Sequence, residues 1–156
     1  MAEVLAVVKI IGIAAQSSKA AWEIGREIYA FIEGVRQVDE TLKDLAAEAR
    51  NLGNICEAVQ AQCESIRPVV KEDSGPVPGI ASLVTNLGQA LEDCERTLST
   101  LRSEVAKVTK IDSSRKFSKL RRQTKLRWQT SEIQSARSQI GRHTQNLNTL
   151  LQVGVL

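Results

Sequence analysis

The chain has 156 residues, 42% of them apolar, and only five aromatics: Trp22, Tyr29, Phe31, Phe117 and Trp128. A single histidine, three cysteines and no glycine-rich phosphate loop leave no partners for nucleophilic catalysis or a zinc site, so no enzyme, metal or cofactor is expected. Net charge is only +3 but polarised: nine Lys/Arg stand against fifteen Asp/Glu in residues 1–100, and twelve against three in residues 101–156.

The length suits one domain, residues 1–156, with a real core. Its first feature is an apolar run, Val4 to Ala15, broken only by Lys9. Within it Val4, Leu5, Val7, Val8, Ile10, Ile11 and Ile13 cover more of the circumference than a surface helix needs. Twelve helical residues rise about 18 Å, short of a bilayer's apolar core. The segment therefore lies buried in a helical bundle or is held in reserve for a membrane. Glu3 stands where a leader would be basic, so no secretory signal is expected. No stretch of 18 apolar residues occurs, so no conventional transmembrane helix is expected either.

The first helix is predicted over residues 3–33. Its packed face is Val7, Ile10, Ala14, Ser17, Ala21, Ile24, Ile28, Phe31 and Val35, in alternating steps of three and four. Gly34 is a plausible stop. The second helix follows Asp39, an N-cap candidate. Its stripe is Leu42, Leu45, Ala49, Leu52, Cys56, Val59, Cys63 and Ile66. Pro68 disfavours helix at Arg67, which opens a turn-rich linker over residues 67–79.

The third helix starts near Pro78–Ile80 and carries Ile80, Val84, Leu87, Leu91, Cys94, Leu98, Leu101, Val105 and Val108 inward. A basic connector, residues 110–128, comes next. Its core, residues 115–128, holds Arg115, Lys116, Lys119, Arg121, Arg122, Lys125 and Arg127 and no acid. The last helix runs from Thr130 to about Gln152, with Ile133, Ala136, Ile140, Leu147 and Leu151 inward. The fold class is all-α: an antiparallel up-and-down bundle of four long helices plus a short basic connecting helix. Cys56, Cys63 and Cys94 are odd in number and fall on the stripes, as buried thiols of a reducing compartment do. Cys56 and Cys63 lie about 10.5 Å apart along a helix, too far to bridge. His143 reads as a helix-surface residue, and Trp22 and Trp128 as packing anchors.

The order of features carries a resemblance. The chain opens Met-Ala-Glu-Val-Leu, passes Ile28-Tyr29 to Gly34-Val35, and reaches Lys-Leu-Arg-Trp at 125–128. A helix with Ile133, Arg142-His143 and Leu147-Asn148-Thr149-Leu150-Leu151 follows. This resembles the HeLo-like amino-terminal domains of fungal STAND receptors, NLR-like proteins with NACHT and repeat domains. The resemblance implies a cytosolic bundle that signals or kills, driven to oligomerise by downstream receptor domains of the same chain. It then implies release of the amino-terminal helix onto the plasma membrane. Lys9 departs from a fully apolar run, but its ammonium can snorkel to headgroups.

On that reading residues 2–15 insert into the membrane, and the seven basic residues of 115–128 meet lipid headgroups at about 1 kcal/mol each. The partners are further copies of the chain and an anionic membrane surface. The alternative is a non-lytic helical adaptor that only self-associates. Nucleic acid is not expected, because the basic segment matches no recognised binding motif. The ending Val-Gly-Val-Leu reads as a domain boundary.

Overall fold

A computed structural model describes residues 2–33, 40–71, 79–113 and 130–155. They form four helices: α1, Ala2–Glu33; α2, Glu40–Lys71; α3, Ile80–Ser113; and α4, Thr130–Val155. No strand occurs among the described residues. The protein is an all-α bundle, with four helices among the described residues.

The three-four spacing of apolar residues makes the bundle. Every predicted inward residue of α1 from Val7 to Phe31 is buried, as are Leu42 through Cys63 on α2 and Val84 through Val105 on α3. On α4, Ile133, Ile140 and Leu147 are buried, and Ala136 and Leu151 pack half-buried against them. Val35, Val108 and the short connecting helix lie outside the described residues or side chains.

Cross-helix contacts fix the directions. Gly53 faces Trp22 and Glu57 meets Ser18, so α1 and α2 are antiparallel. Lys9 pairs with Glu92 and Glu23 with Arg102, so α1 and α3 run parallel. Thr97 meets His143, while Glu104 and Glu132 line one groove, so α3 and α4 are antiparallel. The chain thus alternates up and down as expected. Among the described residues, however, α2 packs its backbone on α1 and α4, not on α3. Helices α2 and α3 therefore stand diagonally across the bundle from each other.

Two boundaries differ from expectation. Helix α2 continues through Pro68 to Lys71, so residues 67–71 of the predicted linker are helical. A proline removes one backbone donor, but its own φ is helical, and here the missing bond falls in the last turn. Helix α3 likewise takes residues 110–113 from the predicted connector. At its other end Gly79 has φ 89°, a left-handed conformation that glycine alone adopts freely, and its carbonyl accepts from Leu83 N–H at 3.0 Å.

Candidate functional site

Helix α1 is longer than its apolar run. By length and composition, Val4–Glu33 is long and apolar enough to cross a membrane, contrary to the expectation from counting uninterrupted apolar residues. The run tolerates Lys9, Gln16 and Lys19 because alanines and isoleucines surround them. A buried core helix passes the same test, and α1 is partly that.

The seven apolar candidates divide between two faces. Val7 and Ile10 are buried in the core. Val4, Ile11 and Ile13 are half-buried. Leu5 is 72% exposed and Val8 41%, and neither is covered by another helix. Lys9 sits on the α3 side of this ridge, its Nζ 4.0 Å from Glu92 Oε1, with the lysine largely in water and the glutamate half-buried. The opening peptide is therefore packed at rest, with an apolar strip left over on its outer side.

The second half of α1 is held differently. Trp22 lies over Gly53 of α2, where an added Cβ would come within 2.9 Å of Trp22 Cδ1. In return Arg50 of α2 crosses Gly25, and its guanidinium carbon lies 4.5 Å from the Tyr29 ring centre and 5.7 Å from that of Trp22. Each helix thus gives up a side chain so that the other can lay a large one across the seam, with cation–π attraction added. On the opposite edge Arg102 of α3 binds Glu23 at 2.9 Å. Trp22 is an anchor of the bundle, in agreement with its sequence reading. The reciprocal glycines were not singled out there, though their polar, glycine-containing neighbourhoods are visible in the chain.

Between the two halves lie the buried polar residues Ser17 and Ser18. Ser18 Oγ donates to Glu57 Oε1 at 3.4 Å, whereas Ser17 Oγ is buried without a partner. A buried hydroxyl left unpaired costs on the order of 1–3 kcal/mol. The join between the apolar half and the anchored half is the least well satisfied part of α1.

The remaining chemistry is structural. Arg137 of α4 forks onto Glu48 of α2, Nη2 donating to Oε1 at 2.9 Å and Nε at 3.1 Å, and reaches Asp44 at 3.7 Å. Burial and the Glu64 charge push the Cys63 thiol up to about 11. Cys94 is also raised, first by its hydrogen bond with Cys56 across the bundle and then by burial. No Cα of α2 comes within 8 Å of one of α3, so these two thiols touch but cannot bridge without moving the helices. Among the described residues no cluster of His, Cys, Asp or Glu is placed to hold a metal.

His143 departs from the surface role expected of it. It is half-buried on α4, with Nε2 2.7 Å from Thr97 Oγ1 of α3. Burial lowers its pKa; the Asp93 charge opposes this and Arg142 adds to it. The folded chain therefore binds the proton less readily than the unfolded chain. This contribution to stability is complete above the ordinary imidazole pKa near 6.5 and falls as pH drops through the window below it. We expect the urea midpoint of wild type to fall relative to His143→Gln between about pH 7.5 and about pH 5.5. A difference that stays constant over that range would show that the seam accepts both protonation states equally.

The seven basic candidates, Arg115, Lys116, Lys119, Arg121, Arg122, Lys125 and Arg127, lie outside the described residues, as does Trp128. The residues on either side of them are placed. Ser113 ends α3 and Thr130 begins α4, both at the end of the bundle remote from Ala2. With about 30 helical residues between the two ends, that separation is roughly 45 Å.

The fold and this helix define the molecule as an all-α helical bundle with an anchored, partly exposed apolar first helix. No protein-family model, curated protein or solved structure matches the chain.

Proposed function

We propose that the chain is a signalling or effector module whose α1 targets or permeabilises a membrane after the domains assemble. It resembles the amino-terminal bundles of fungal NLR-like receptors, and programmed cell death driven by downstream domains of the same chain is the setting that resemblance suggests. The protein rests in the cytoplasm and moves to the plasma membrane on activation. The observation that carries this reading is the double-sided apolar character of residues 4–15, with Val7 and Ile10 inward and Leu5 and Val8 outward. The outer pair adds little to the core and is free to bury in lipid.

Dye release from anionic vesicles tests this. Wild type should release dye, and Leu5→Glu combined with Val8→Glu should lower the rate about tenfold or more. A carboxylate at the bilayer centre costs about 2.5–3.5 kcal/mol, whereas both side chains are exposed in the bundle and the fold should survive. Equal release by the two proteins would sink the proposal. No release by wild type, with self-association intact, would favour the non-lytic adaptor instead.

A further inference from the structure

We propose that the groove between α1 and α3 at Ser17 is a binding site for a small zwitterion, a free α-amino acid. The inference goes beyond the membrane reading and needs no lipid. The groove has a volume of about 360 Å³. That is near the lower end of the roughly 300–1,000 Å³ usual for ligand sites, so the occupant is small. Ser17 lines the groove from below, 1% exposed, and its hydroxyl has no partner. A hydroxyl on a helix can donate to the carbonyl four residues back, and Thr85, Thr100 and Thr149 do so here. Ser17 does not, so its donor is left for an atom seated in the groove.

The rim says what the ligand carries. Lys19 of α1 and Glu95 of α3 stand on opposite walls, both exposed, and neither pairs with another described residue. The other two charges of the groove, Glu23 and Arg102, neutralise each other across one end at 2.9 Å. The four charges sum to zero, so neither a bare anion nor a bare cation is favoured. One unpaired ammonium facing one unpaired carboxylate instead matches a molecule that bears both signs. Glu95 and Ser99 line the α3 wall one turn apart, about 5–6 Å between their Cβ atoms. An α-amino acid laid along that wall gives its ammonium to Glu95. Its carboxylate accepts from the Ser99 hydroxyl, from Lys19 and from the buried Ser17 hydroxyl. Ala20 and Leu98 supply an apolar surface for a short aliphatic side chain. The bound molecule bridges α1 to α3 and so stabilises the docked first helix.

Backbone-amide NMR of the full 156-residue chain, titrated with L-alanine and without lipid, tests this. Amide signals near Ser17 and Leu98 should shift saturably, and those of α4 should stay still. L-Alanine methyl ester lacks the anion and N-acetyl-L-alanine lacks the cation, so each should bind about tenfold more weakly or worse. Lys19→Gln and Glu95→Gln, both at exposed positions, should each weaken L-alanine about tenfold with unchanged helical circular dichroism. Ser17→Ala should raise the thermal midpoint of the free chain, because it removes an unpaired buried hydroxyl, and should also lower the affinity. The absence of a saturable shift overturns the proposal, as do singly charged analogues that bind like L-alanine or charge variants that bind like wild type. So does a Ser17→Ala chain of undiminished affinity, which would leave the hydroxyl to water. Phosphoethanolamine carries the same two signs on a longer frame; tighter binding of it than of L-alanine would assign the groove to a lipid headgroup and overturn the amino-acid assignment.

Discussion

Removing residues 1–15 is expected to abolish cooperative folding. The deletion takes Val7 and Ile10 out of the core, each worth about 1.5–3 kcal/mol, and Val4, Ile11 and Ile13 at roughly half that. The sum, on the order of 5–10 kcal/mol, rivals the whole stability of an ordinary domain, about 5–15 kcal/mol. Urea unfolding followed by circular dichroism should show a broad, shallow transition in place of a sigmoid. A truncated chain with a sharp transition near the wild-type midpoint would mean that the opening turns contribute little to the core. The same figures bear on release. A helix that leaves the bundle for lipid loses and regains the burial of its core face, which nearly cancels. Leu5, mostly in water at rest, and the exposed part of Val8 gain burial only in the lipid. That surplus, on the order of 1–3 kcal/mol, offsets part of the cost of uncovering the faces of α2 and α3 that α1 leaves behind. Loss of the Lys9–Glu92 contact opposes the move weakly, since exposed pairs contribute about 0–1 kcal/mol. Truncation is therefore a poor probe of function, and charges placed at Leu5 and Val8 are a better one.

The bundle was legible because its core obeys a single rule. The stripe from Leu42 to Cys63 keeps strict three-four spacing, and each of its members is buried. Fold class follows from that periodicity with few aromatics to complicate it. The arrangement of helices around the bundle was not legible. Whether α2 lies beside α3 or across from it depends on which residues flank the stripes, and single pairs such as Glu23–Arg102 and Glu48–Arg137 settle it. Pro68 misled because a proline near a helix end removes only one bond. His143 misled because a lone histidine among polar neighbours gives no sign of the threonine on another helix that meets it. At the candidate site, the greasiness of residues 4–15 was plain. Their division into a buried and an open face was not, since apolar residues fall on nearly every side. The role of Gly25 was hidden for a similar reason: it becomes intelligible only when Arg50, distant in sequence, is laid across it.

Gly12→Ala and Gly25→Ala should shift stability in opposite directions, although they make the same change in the same helix. In both, alanine improves helix propensity by about 0.8–1 kcal/mol. At Gly12 nothing opposes that gain, because the added methyl meets open space. Its midpoint should rise by up to about 4 °C, at about 2–4 °C per kcal/mol for a chain of this size. At Gly25 the methyl would lie 3.0 Å from Arg50 Cγ and 3.2 Å from the Ala46 carbonyl oxygen. The arginine stem can shift, but the carbonyl belongs to the backbone of α2 and moves only if the helices part. Overpacking of this kind costs about 1–3 kcal/mol, which exceeds the propensity gain. Gly25→Leu carries the argument further. Its side chain has no room under Arg50, so it must pry the α1–α2 seam open and lift the guanidinium from Tyr29 and Trp22. A loss of about 3 kcal/mol or more is expected there, seen as a fall of roughly 6–12 °C in the thermal midpoint. If Gly25→Ala is as stabilising as Gly12→Ala, the two helices are not in close contact at this level. The anchored half of α1 would then be no better held than its apolar half.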